Sequence, residues 1–150
     1  MRQRASGDSA RPVELGEFPG IPFEFTAVLK TRGIIHTAHF LKATRKKEDL
    51  IRLASATGIP VSRLEEMQAL CHLIRIPGIG APLAKVFYHA GIRSVNAMAG
   101  ETVLSIRQKI TRGGNAYPEV ITSLQDEELS RFLQHAKQMR ENDRLNEAKE

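Results

Sequence analysis

Residues 75–92 read RIPGIGAPLAKVFYHAGI. Gly78 and Gly80 bracket a lone Ile79, and a third glycine, Gly91, follows one helix later. An apolar residue and Pro-Gly lead into a helix, and that helix stops at Gly91, where glycine can take the left-handed conformation. Ile92 then packs back on the last turn. Two readings of the glycine pair are open. It is a tight turn that lets two helices meet, or it is a loop shaped to hold a phosphate.

The same grammar occurs earlier, in FPGIPFEFTAVLKTRGI from Phe18. With no gap, Phe18 falls on Ile76, Pro19 on Pro77, Gly20 on Gly78 and Ile21 on Ile79. Further along, Ala27 falls on Lys85, Leu29 on Phe87, Gly33 on Gly91 and Ile34 on Ile92. Matches at such conformationally special residues indicate a tandem duplication of one small motif.

Working outward, a shorter helix is predicted after each copy, around His36–Ala43 and Ser94–Ala99. Another runs about Lys46–Thr57 and stops at Gly58-Ile59. The next begins at Ser62, where Ser62 and Glu65 have the spacing of a capping box, and carries Leu64, Met67, Cys71 and Ile74 at helical spacing. A further helix spans about Glu101–Ile110, with Val103, Ile106 and Ile110 on one face. After the loop TRGGNAYPEV, Ser123 can cap a last helix that turns Leu129, Phe132, Leu133, Ala136 and Met139 inward. No alternating strand pattern of useful length appears, so the fold class is all-α, built of two pseudo-repeated units with connecting and C-terminal helices. The expected organisation is a flexible arm over 1–16, a domain over 17–144 and a frayed end over 145–150.

The 150 residues are 41% hydrophobic but only 5% aromatic, with no Trp, so small and aliphatic side chains must do the packing. One cysteine, Cys71, excludes an internal disulfide or a multi-Cys metal site, and its neighbours Leu70 and Leu73 make it a buried thiol. The N-terminus lacks the apolar core of a signal peptide, and no stretch approaches the roughly 18 apolar residues of a membrane span. The expected setting is cytoplasmic. The net charge of +5 is unevenly spread. From Lys42 to Arg112 there are twelve Lys and Arg against five Asp and Glu; from Gly113 onward there are five against eight. A basic middle permits an anionic partner.

The residues Ile74, Ile76, Gly78, Ile79, Gly80, Ala84 and Phe87 fill every position of a pattern that resembles the helix-hairpin-helix motif of many DNA-binding proteins. That resemblance makes Ala84 the small residue at a close helix contact. It also implies one DNA phosphate held by backbone N–H groups at the hairpin, a contact that positions without reading sequence. Over about Phe18–Met139, the order of hairpin, TGI-P-x-S-type helix, second hairpin and LSRFLQHAKQM helix resembles the bacterial domain-of-unknown-function family 4332. The resemblance implies paired helix-hairpin-helix elements and no transferable catalytic residue.

Departures from the motif weigh against it. Where DNA-binding hairpins often carry Lys, this chain has Pro82, with neither ammonium nor N–H. In the first copy Pro22 replaces the second glycine and Glu24 follows, so that hairpin is read as structural. The candidate nucleic-acid-binding residues are therefore Gly78, Ile79 and Gly80 for their backbone, with Arg75, Lys85, Lys46 and Lys47 as supporting cations. Arg45, Lys46 and Lys47 stand at a helix start and could grip backbone phosphates, although cations there oppose the dipole. The bland reading, a solvated turn, stays open because Glu48 and Asp49 follow.

His36 and His39 lie three apart but lack a third metal ligand at recognisable spacing, so no metal site and no cofactor is expected. GIGAPL fails the dinucleotide fingerprint at Leu83, and no HExxH, CxxC, GxSxG or Walker-type motif occurs. The expectation is a non-enzyme that binds nucleic acid, duplex DNA first, independently of sequence. The alternative is a protein-interaction or scaffold module in which the hairpins serve only packing. Neither a membrane nor a small-molecule substrate is expected as a partner.

Overall fold

Both Pro-Gly turns are helix-to-helix corners whose geometry depends on glycine. In the computed structural model, which describes residues 12–113 and 118–149, Gly20 and Gly78 have φ of 84° and 94°. The N–H of Ile21 donates to Phe18 O and that of Ile79 to Ile76 O, closing equivalent turns. The helices they feed are α1, Phe23–Lys30, and α5, Ala81–His89. Each stops at a left-handed glycine, Gly33 or Gly91, after which Ile34 N donates to Leu29 O and Ile92 N to Phe87 O.

The remaining helices are α2 (Thr37–Ala43), α3 (Lys47–Thr57), α4 (Val61–Leu73), α6 (Val95–Ala99), α7 (Val103–Gly113), α8 (Pro118–Ser123) and α9 (Asp126–Lys149). The described residues contain no strand beyond an isolated bridge between Glu14 and His36, so the all-α class holds. Helix α4 is the hub, packed by α2, α3 and α5, while α9 crosses α6 and α7. The inward residues of α4, Leu64, Met67, Leu70 and Cys71, are fully buried at helical spacing. Phe87 of α5 meets Phe132 of α9 edge to face, with ring centroids 6.1 Å apart. Burying either ring contributes about 1.5–3 kcal/mol.

Several sequence expectations are corrected. The expected arm over 1–16 is already docked from Pro12. Leu15 is buried, and Leu15 N donates to Ile35 O and Thr37 N to Val13 O. Residues 1–11 of that arm lie outside the described residues. Ser62 is not a cap: α4 starts a residue earlier, because Pro60 holds extended backbone and its carbonyl accepts from Arg63 and Leu64. Glu65, freed from a capping box, pairs with Lys47 instead. Ser123 ends a short separate helix, α8, and the last helix is capped where Gln125 N donates to Glu128 Oε1. That helix continues to Lys149, past the end expected at Arg144, with Arg144 paired to Glu141 one turn back. Gly113, assigned to a loop, ends α7 against α5; a Cβ there would lie 2.7 Å from Ala90 Cα.

Candidate nucleic-acid interface

The second turn is more committed to packing than its glycines suggest. Gly78 is exposed, but a Cβ there would lie 2.8 Å from Phe132 Cε1 of α9, so the ring leaves no room for a side chain. The Ile79 side chain is buried and its N–H already donates to Ile76 O at 3.1 Å. The expectation that Ile79 offers a free donor is therefore corrected, because the turn that makes the corner uses that N–H. Gly80 differs. It is exposed as Gly78 is, but it caps α5 in an extended conformation and has open space where a Cβ would sit. It is where the start of α5 meets solvent, and Pro82 in the first turn contributes no donor.

Lys85 is not a surface cation. Only 5% exposed, it places Nζ 3.0 Å from Glu66 Oε2 of α4, while Arg63 Nε holds the other oxygen, also at 3.0 Å. Arg63 also donates to Gly20 O at 3.2 Å and lies over the Phe25 ring. These groups tie the first turn, α1, α4 and α5 together. Its role as a phosphate cation is corrected by the helix period: Ala81, Ala84 and Lys85 share the face of α5 that is buried. Burial pushes the Glu66 carboxyl up, but Lys85 and Arg63 outweigh it and hold it below its ordinary 4.5.

The other expected cations are dispersed. Lys47 reaches Glu65 at 3.0 Å, an exposed pair worth little. Lys46 is exposed just before α3, and its N–H donates to Asp49 Oδ2. Arg75 joins a group that the sequence reading missed. With Lys42 and Arg45 it rims a groove of about 580 Å³ between α2 and α4, whose remaining walls are Pro12, Thr37, Ala38, Leu41, Cys71, His72 and Ile74. Among the described residues no carboxylate lines it. Part of the signal was present as helical spacing: Ala38, Leu41 and Lys42 share one face of α2, with Arg45 just past its end, while Arg75 follows the end of α4. Arg75 approaches His72 Nδ1 at 3.5 Å. Burial, with the guanidinium beside it, lowers the His72 pKa against an opposing pull from Asp143 of α9.

His36 and His39 stack at 3.6 Å, and Ile35 N–H donates to His39 Nδ1, occupying that nitrogen. Cys71 is buried, and burial pushes its thiol far above the ordinary range, which makes it inert. Among the described residues no three His, Cys, Asp or Glu side chains gather as a metal site. No described helix is long and apolar enough to cross a membrane.

The family described as Domain of unknown function (DUF4332) matches residues 19–139. The chain belongs to this family. No curated protein and no solved structure matches it. The DUF4332 span opens on Pro19 in the first turn and closes on Met139 in α9. It therefore contains both turns, the Arg63–Glu66–Lys85 cluster and all of the groove except Pro12.

Proposed function

We propose that this protein is a non-catalytic, cytoplasmic module that binds nucleic acid without regard to sequence, through backbone phosphates. The observation that carries this reading is the convergence of Lys42, Arg45 and Arg75 on one groove whose described wall holds no carboxylate. Several surface cations elsewhere in the basic middle are paired, Lys47 with Glu65, Arg52 with Asp49 and Arg107 with Asp126. Three cations on one groove, none in a salt bridge among the described residues, attract a polyanion. The resemblance to helix-hairpin-helix proteins adds Gly80, at the start of α5, as a neutral contact.

The test is fluorescence anisotropy of a labelled duplex of about 20 base pairs across a salt series. Three cation–phosphate contacts predict a log–log slope near −2.7, or roughly 40-fold weaker binding between about 50 and 200 mM salt. Substituting Lys42, Arg45 and Arg75 together by Gln should abolish that slope in a protein with unchanged helicity. No binding at the lowest salt would overturn the reading.

A second reading, a scaffold that binds another protein, is favoured by the second turn itself. Phe132 packs where a side chain on Gly78 would be and Glu66 takes Lys85, so both residues serve packing.

A further inference from the structure

A flat basic surface suffices to hold the phosphates of a duplex, yet the Lys42–Arg45–Arg75 surface is concave and has an apolar floor. Between its charged rim lie Ala38 and Leu41 from α2 and Ile74 from the end of α4. At about 580 Å³ the groove is the size of sites that enclose a small organic group. A duplex offers its sugar–phosphate ridges and the edges of stacked bases, but no base face to lay on that floor. An unpaired nucleotide has both parts: a planar base for the apolar floor and a phosphate on either side for the cations. We infer that the groove between α2 and α4 is a seat for an unpaired nucleotide of a nucleic-acid strand, an inference that rests on the nucleic-acid reading above.

Two further observations fit this occupant. Arg75 approaches His72 Nδ1, and a guanidinium only donates. The imidazole therefore keeps its proton on Nε2, where it can donate to an acceptor on a base. The chain also reaches the groove wall at Pro12, and the eleven residues before it carry Arg2, Arg4 and Arg11 against Asp8 alone. That segment matches the rim in sign and does not complement it, which disfavours the chain's own N-terminus as the occupant.

The experiment compares three labelled probes on the full chain at equal salt: a duplex, one of its strands alone, and the duplex with one unpaired internal base. The expected result is at least tenfold tighter binding of the strand and of the bulged duplex than of the intact duplex. The strand's salt slope should be near −2, against about −2.7 for the duplex. Ala38→Phe, which fills the groove from an exposed position on α2, should lower strand affinity at least tenfold. A second measurement guards against misfolding of that variant. In the unaltered protein, the methyl resonances of Leu41 and Ile74 should shift under the ring current of a base when the strand is added, and not with the duplex. Equal affinity for strand and duplex, or silent methyls with a bound strand, overturns the groove assignment while leaving phosphate binding standing. No binding by any probe overturns both. If an acidic peptide bearing leucines moves those methyls and the strand does not, the groove is a protein-docking site and the inference fails.

Discussion

The two Pro-Gly turns are alike in backbone and different in what leans on them. Both hold their glycine at positive φ, both close with an isoleucine N–H, and both feed a helix that ends on a left-handed glycine. Against the first turn lies the tip of a long side chain: a Cβ on Gly20 would come within 3.2 Å of Lys85 Nζ. Against the second lies an aromatic ring held in the core, 2.8 Å from where a Cβ on Gly78 would be. The first copy, with Pro22 where the second has Gly80, still makes the same corner. The corner thus needs only the first glycine, and the second is free to do something else.

Alanine substitution turns that contrast into numbers. At Gly78 it combines a left-handed backbone, costing about 1–2 kcal/mol, with overpacking against Phe132, costing a similar amount. Gly78→Ala should lose about 3 kcal/mol in urea unfolding. Gly20→Ala meets the same backbone cost, but Lys85 can give way, so its loss should stay near 1.5 kcal/mol. Equal losses would mean that Phe132 is not pressed on the second turn as described.

The next effect concerns the cluster that joins the two turns. Removing one partner of a buried ion pair ordinarily costs about 3–5 kcal/mol, but Arg63 would still hold Glu66. Lys85→Met keeps the apolar stem and should cost about 2 kcal/mol. Because Glu66 is held below its ordinary 4.5 in the fold, its contribution is complete above that value and fades as pH falls through the lowered pKa. Stability should therefore drop on acidification below about pH 4.5, and less steeply in Lys85→Met. The same variant should leave the salt slope of DNA binding untouched, since Lys85 faces the interior. A reduced slope would return Lys85 to the interface.

Much of this frame was legible in the chain. Gly33, Gly58 and Gly91 mark helix ends because only a residue without a Cβ takes left-handed backbone easily, and apolar spacing marked the inward faces of α4 and α9. Less legible were features that depend on a neighbour in space. Lys85 looked like a solvent-facing cation because its partner Glu66 is on another helix, and Lys42 looked ordinary because Arg75 comes from beyond α4. Pro60 displaced the expected Ser62 cap since a proline-fixed turn offers its carbonyl first. The groove was illegible for the same reason: each wall is readable as a helix face, but their juxtaposition is tertiary.

The smallest expected effect bears most directly on the open half of the comparison. Gly80 is extended rather than left-handed and faces open space, so Gly80→Ala has opposing small consequences. Alanine is the poorer cap by several tenths of a kcal/mol, yet it restrains the unfolded chain by about as much. Stability should change by less than about 0.5 kcal/mol. Binding should respond differently. A backbone N–H on a phosphate is a neutral contact, and losing it weakens the complex by roughly 3–10-fold, as an ordinary hydrogen bond does. It releases no counterion, so the salt slope should not move, whereas each cation removed from the groove should lower it by about 0.9. A weaker complex with an unchanged slope would place the start of α5 on the strand beside the groove. An unchanged affinity would leave the second glycine, like Pro22 in the first turn, with no part in binding.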